Sequence, residues 1–342
     1  MTTPRSIDSA DMLGRVRSLP EQLVAGYRLS ADAWARVEPV VPEALVVAGM
    51  GASALGGDIL RLYLAGRSGV PVRVFRDYGL PATVRGRSLV VISSYSGNTE
   101  EALACLDDAL RIGTRTVCVT SGGKLLERAQ RDHLPVLVLP AGMPPRAALG
   151  YLFSGLLGLA RQVGLCDDHG EDLDESREVL EGLSGTYSNP DPAVNPAAKL
   201  ARALLGRIPV IYCSNRIDAV GVRWKNQFCE NSKRLSFVSF VPEANHNEMM
   251  GWEVKDEGLS AGVVVLRTRE EHPKVARALS LTGQIVGDKA LFCGEFWGQG
   301  SSLLSRVFSL ILLGDYASVH LALARGVDPT PIGTIDRIKS WL

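Results

Sequence analysis

The chain carries no excess of charge. Lys and Arg number 37, Asp and Glu number 37, and the formal net charge over 342 residues is zero. A nucleic-acid partner would call for a basic face to neutralise phosphates, so none is expected. No basic cluster flags a membrane surface either, and long apolar runs are missing. The longest nearly uncharged stretch, "AALGYLFSGLLGLA" at 147–160, is too short to span a bilayer and reads as a buried helix. The beginning, "MTTPRSIDSADMLGRV", has no apolar signal region, so secretion is not expected. The six cysteines form no C-x-x-C pair, and several sit inside strand-like runs such as "TVCVTS" and "VIYCS". That pattern fits free thiols in a reducing cytoplasm. The five histidines have no metal-ligand spacing with one another or with cysteine, and neither metal nor cofactor is expected.

What is present is an ordinary globular composition, 46% hydrophobic and 22% charged. The length predicts about two domains of roughly 150–170 residues each. Short β-branched runs alternate with helical patterns. Strands are expected at 44–50, 70–75, 88–94, 115–121 and 134–140, with helices at 54–64, 100–111 and 146–163. After a polar stretch the alternation restarts. Strands are expected at 208–214, 235–241, 261–267 and 290–296, with helices at 219–233, 271–286 and 302–325 and a short one at the end. Continuous apolar strands interleaved with helices indicate parallel sheets of βαβ units. The expected fold is therefore α/β, two doubly wound parallel-sheet domains of flavodoxin-like type in tandem. The expected boundaries are an N-terminal helical segment at 1–40, a first domain at 41–185, a linker at 186–196 rich in Ser, Asn, Asp and Pro, and a second domain at 197–342.

One seam stands out. "SSYSGNTEE" (93–101) lies between the strand "RSLVVI" and a helical run. Ligands of open parallel sheets sit beyond the carboxyl ends of strands. Helix N-termini favour anions there, and hydroxyls add donors. Ser94, Ser96 and Thr99 are thus candidate phosphate ligands, and Gly97 supplies backbone freedom. Helix capping is the plain alternative for such residues. Glu100 and Glu101 compete for the positive helix end and would have to turn away. The first strand runs into "GMGASALGGDIL", where Gly51 and Ser53 form a candidate second wall. Its glycines do not follow G-x-G-x-x-G, and Asp77 is the nearest acidic residue after the second strand, so a dinucleotide reading ranks low. The second half shows no equivalent seam, and one phosphate site per chain is expected.

At these residues the sequence resembles the sugar isomerase (SIS) domain superfamily. "PRAALGYLF" (145–153), "WKNQFCENSK" (224–233), "EANHNEMMGW" (243–252) and "DPTPIGTIDRIK" (328–339) narrow the resemblance to the bifunctional phosphoglucose/phosphomannose isomerases, two-SIS-domain cytoplasmic enzymes. It covers the chain from about residue 40 to the end. Two departures stand out: Ala52 where the family usually has Gly, and "QFCENSK" where it usually has "QLNENAK".

The resemblance implies metal-independent interconversion of glucose 6-phosphate, and of mannose 6-phosphate, with fructose 6-phosphate through an enediol. That chemistry needs a carboxylate base, a cation for the developing oxyanion and a ring-opening group. By resemblance, Glu230 is the base, Arg146 the cation and His246 the ring-opening histidine. Lys339 assists at the site, and Thr330 orients a water. His246 would serve the neighbouring subunit of a homodimer. Without the resemblance, Glu230 and Arg234 read as a surface ion pair, "NHNE" as a turn, and Lys339 as a helix C-terminal cation. Trp224 and Trp252 read as packing anchors. Three other functions compete: a non-catalytic phosphosugar sensor, a SIS enzyme acting on amino-sugar phosphates, and a dehydrogenase.

Overall fold

A computed structural model describes residues 7–255 and 258–341. The chain divides into two compact units. One is Ser18–Arg177, and the other joins Met1–Arg17 to Glu178–Leu342. Helix α1 (Met12–Arg17) thus belongs with the C-terminal half, where Met12 and Val16 are buried and the helix packs on α11 (Leu303–Ala324).

The first unit runs α2 (Leu19–Trp34), β1 (Leu45–Gly49), α3 (Gly51–Leu64), β2 (Val72–Phe75) and β3 (Leu89–Ser93). It continues with α4 (Glu100–Ile112), β4 (Arg115–Thr120), α5 (Gly123–Arg131), β5 (Val136–Val138) and α6 (Leu149–Gln162). Its five strands are all parallel, in the order β2-β1-β3-β4-β5. β1 and β3 are buried along their whole length, which is why they read as unbroken apolar runs. Successive side chains face opposite ways. Val46, Ala48, Val90, Ile92 and Cys118 therefore share one face, packed against Ala102, Cys105, Leu106 and Ala109 of α4 and Leu125 and Ala129 of α5. Each fully buried Val or Ile stabilises the unit by about 1.5–3 kcal/mol. Elsewhere α2 packs on α6, where Trp34 Nε1 donates to Gly155 O at 2.8 Å.

Helix α7 (Gly170–Tyr187) crosses the division. Its early residue Asp172 accepts from Tyr63 in the first unit, at 2.5 Å. In the second unit its last residue, Tyr187, has its carbonyl bonded by Asn195 Nδ2 at 2.7 Å and His320 Nε2 at 2.8 Å. The second unit continues with α8 (Pro196–Leu204), β6 (Ile208–Ser214), α9 (Asp218–Glu230), β7 (Phe237–Val241) and β8 (Ala261–Arg267). It ends with α10 (Pro273–Gly287), β9 (Phe292–Trp297), α11 and α12 (Gly333–Lys339). The sheet is parallel in the order β7-β6-β8-β9. Among the described residues α11 alone is long and apolar enough to cross a membrane, but 89% of its apolar window is buried inside the protein, so it is a core helix. Its Asp315 takes a two-pronged bond from Arg223 of α9, at 2.9 and 2.7 Å, with both side chains under 5% exposed. Trp224 and Trp252 are buried anchors: Trp224 Nε1 donates to Leu310 O and Trp252 Nε1 to Tyr212 Oη, both at 2.8 Å.

Two doubly wound parallel sheets in series are what the alternation predicts. The contact division falls at 177/178, inside α7, whose two ends are fastened to different cores. The segment 1–40 is likewise split after Arg17. The helix expected over 146–163 breaks at Ala148, and Pro145–Ala147 is a short 3-10 turn. The helix expected over 219–233 ends at Glu230, because Lys233 takes a left-handed φ of 51°. Helices α5 and α8 are additional.

Candidate active site

In a sheet ordered 2-1-3-4-5 the strand order reverses between β1 and β3, and the crevice beyond their carboxyl ends is the ligand position. Both glycine and hydroxyl segments lie there. Gly51, with φ of 52°, opens α3, and Ser53 is buried in its first turn. The loop 94–99 follows β3. Tyr95 holds the two together. Its amide donates to Ser53 Oγ at 3.0 Å, and its carbonyl accepts from Ser121 N and Oγ. Its phenol donates to Pro140 O at 2.6 Å. Gly97 adopts φ of 69°, and a Cβ there would lie 1.8 Å from Gly122 O. The loop is therefore nested on the turn between β4 and α5.

The hydroxyls are not helix caps. Thr99 is the N-cap of α4, yet its side chain makes no capping bond. It accepts instead from Ser94 Oγ at 2.9 Å, while Ser94 Oγ accepts from Gly97 N at 3.1 Å. Ser96 Oγ accepts from Asn98 N at 3.3 Å and is exposed. In these bonds Ser53, Ser96 and Thr99 act as acceptors, so each keeps a hydroxyl hydrogen to offer an anion, while Ser94 orients Thr99. Desolvation, then Glu101 and Glu100, push the Tyr78 phenol above its ordinary range.

Arg146 is only 3% exposed, on the turn Pro145–Ala147. Gln22, buried on α2, fixes that turn. Its Nε2 donates to Ala147 O at 2.8 Å, and its Oε1 accepts from Gly150 N at 3.2 Å.

In the second unit Glu230 is half-buried at the last position of α9. Trp224, bonded to Leu310 O, and Asn231, whose Nδ2 donates to Ser318 Oγ at 2.9 Å, lock this helix to α11. Arg234 spends its guanidinium on Arg207 O and Gly206 O, at 2.6 and 3.0 Å. A cavity of about 800 Å³ opens beside Glu230, lined also by Cys229, Lys233, Leu235, Ile335 and Arg337. Thr330 lies on the strap leading to α12, its amide capped by Asp328 Oδ1 at 2.9 Å. Lys339 is exposed at the end of α12, whereas Arg337 of the same helix lines the cavity.

His246 is exposed at the end of the 3-10 turn Glu243–His246. The motif around it is fastened from below: Tyr212 and Ser239 hydroxyls both donate to the Glu248 carboxylate. Asn245 Nδ2 donates to Thr282 Oγ1 at 3.1 Å. In the second sheet, beyond β8, Arg267 is buried against Glu271 and against Glu295 of β9, and Arg306 of α11 pairs with Glu270.

Sequence reasoning missed Tyr95, Gln22, Lys233 and Arg337. Gln22 lies in no quoted motif; Tyr95, Lys233 and Arg337 lie inside quoted motifs, but their contacts are to groups distant in sequence. Among the described residues no group of three or more His, Cys, Asp or Glu is placed to hold a metal ion.

Two parallel sheets, the first with a hydroxyl-lined switch point, define a protein of the sugar isomerase (SIS) class. A family model of the bacterial phospho-glucose isomerase C-terminal SIS domain matches residues 193–342. The chain is 38% identical over 334 residues to the bifunctional phosphoglucose/phosphomannose isomerase of Caldicellulosiruptor bescii, covering 97% of this chain and 98% of that protein. It is 35% identical over 300 residues to the protein of the same name from Aquifex aeolicus, covering 87% and 90%. The solved structure of tagatose-6-phosphate ketose/aldose isomerase from Escherichia coli has the same fold, with a TM-score of 0.71 at 15% identity, covering 97% of this chain and 98% of that one. The chain belongs to the bifunctional phosphoglucose/phosphomannose isomerase family, and it is an isomerase.

Proposed function

We propose that this isomerase interconverts glucose 6-phosphate and mannose 6-phosphate with fructose 6-phosphate, without a metal. The seam at the first sheet's switch point carries this reading: three hydroxyls with hydrogens to donate, on a loop held rigid by Tyr95 and Gly97. Gly51, Ser53, Ser96 and Thr99 take the phosphate, with Ser94 orienting Thr99 for it. Fixed donors of this kind hold an anion with little reorganisation.

Glu230 is the base. It removes the C2 proton of the open aldose as the C1 carbonyl gains a proton, giving the enediol. Return of the proton to C1, with loss of a hydroxyl proton from O2, gives the ketose. Arg146 stabilises the enediolate, and its burial supports that role, since charge acts more strongly away from water. His246 opens the ring, Lys339 assists, and Thr330 orients a water. If the C2–C3 bond rotates, one base serves both epimers. The exposed position of His246 supports a homodimer in which it works on the neighbouring copy, which light scattering tests. The six free cysteines support a cytoplasmic enzyme. Burial pushes the Cys118 thiol up to about 12, and burial, then Asp108, the Cys105 thiol to about 11.

The test is an assay from fructose 6-phosphate, with and without chelator, resolving both aldose products. Chelator-insensitive formation of both, lost together in Glu230→Gln, is expected. One product alone would narrow the specificity and point to Ala52. Binding without turnover would favour a sensor, and turnover of glucosamine 6-phosphate an amino-sugar enzyme.

A further inference from the structure

The end of α9 does not stop freely. After Asn231 the chain reverses, and Lys233 adopts the left-handed φ of 51°, a conformation that L side chains rarely take. Its surroundings impose it. Arg325 Nη1 donates to the carbonyls of Ser232 and Lys233 at 3.1 and 3.2 Å, and Arg234 N bonds back to Phe228 O at 3.1 Å. This turn sends the Lys233 side chain back across the helix end. There Nζ donates to Glu230 O at 2.6 Å and to Pro329 O at 2.9 Å.

The second contact lies 96 residues on, in the strap that carries Thr330. That strap has its own fastening. Ser9 Oγ donates to Asp328 Oδ2 at 2.5 Å, and Asp328 Oδ1 caps Thr330 N. Pro329 and Pro331 stiffen the backbone on either side of Thr330. Beyond it, Ile335 and Arg337 line the cavity that Glu230 also lines, and α12 has no buried residue of its own. An ammonium at a helix C-terminus is favourable in itself. Here the same ammonium spans the carboxylate-bearing helix end and the strap, and it sets the distance between them.

We infer that Lys233 is a positioning residue for Glu230. It holds the last residue of α9 and the Pro329 carbonyl at one spacing, so that the carboxylate meets a substrate seated in a cavity of fixed width. The inference rests on reading Glu230 as the proton-transfer base. Misplacing a reacting group by about 1 Å costs on the order of 100-fold in rate. Loss of the bridge therefore falls on kcat, while the hydroxyls proposed to hold the phosphate, and with them KM, are untouched.

The experiment compares Lys233→Met, Lys233→Arg and Glu230→Gln in the full chain, with fructose 6-phosphate as substrate and thermal unfolding alongside. Lys233→Met is expected to lower kcat by about 10–100-fold with KM within about threefold. Lys233→Arg, whose guanidinium can reach both carbonyls, is expected to recover most of kcat. Full kcat in Lys233→Met overturns the inference while leaving Glu230 as base. So does a Lys233→Arg protein as impaired as Lys233→Met, or a loss of kcat that only tracks a fall in Tm. Activity retained in Glu230→Gln sinks the base reading itself, and the inference with it.

Discussion

The backbone amide of Tyr95 donates to the side-chain oxygen of Ser53 at 3.0 Å, across 42 residues of sequence. The bond ties the first turn of α3 to the loop after β3, on the two sides of the point where the strand order reverses. Ser53 accepts, so its hydrogen remains to be given to a ligand. On the proposed reading, one hydroxyl thus builds the crevice and serves in it. Removing it in Ser53→Ala takes away the bond from the buried Tyr95 amide, and urea unfolding should register a loss of about 1–3 kcal/mol. KM for fructose 6-phosphate should rise in the same variant. A stable protein with unchanged KM would remove Ser53 from the phosphate site.

Gly97 sits in the left-handed region with no room for a Cβ. Gly97→Ala should cost more than about 2 kcal/mol, combining backbone strain with displacement of the Gly122 carbonyl. Sugar 6-phosphates should also stop raising Tm in this variant, because ligand stabilisation scales with occupancy of the site. Differential scanning fluorimetry with fructose 6-phosphate reads both effects.

Arg223 and Asp315 form a pair with both side chains almost wholly inside, and they fix α9, hence Glu230, on α11. Burial pushes the Asp315 carboxyl up, so its charged form depends on the partner. Arg223→Met should destabilise by about 3–5 kcal/mol, the range for breaking one side of a buried pair. Chemical denaturation measures this, and a change under 1 kcal/mol would show that the site relaxes or admits water.

His320 is buried beneath the end of α7, and burial holds its imidazole below the ordinary range despite the hydrogen bond to Tyr187 O. A depressed folded pKa means the unfolded chain binds the proton first. The stabilising contribution is complete above pH of about 6.5 and is lost as pH falls below it. The slope from this one group is at most about 1.4 kcal/mol per pH unit. His320→Gln should flatten unfolding free energy between pH 5 and 6.5. The His169 side chain, also held low by burial, will leave some slope behind.

Much of this protein is legible in local sequence. The continuous apolar runs of β1 and β3 require two covered faces, and that requirement alone implies a parallel sheet flanked by helices. The seam proposed to take the phosphate is legible because such a site at a strand end calls for hydroxyls and a glycine within a few residues. What the sequence could not decide are the contacts made by one side chain to a distant carbonyl. Gln22 on Ala147, Lys233 on Pro329 and Tyr95 on Pro140 depend on no residue type at the receiving end, so no pattern records them. The division inside α7 was hidden for a related reason: a continuous helix shows no break in periodicity where its two ends serve different cores. Sequence determined the elements and the chemistry on offer. Only the folded chain decided which groups are held still, because that depends on bonds closed between residues far apart.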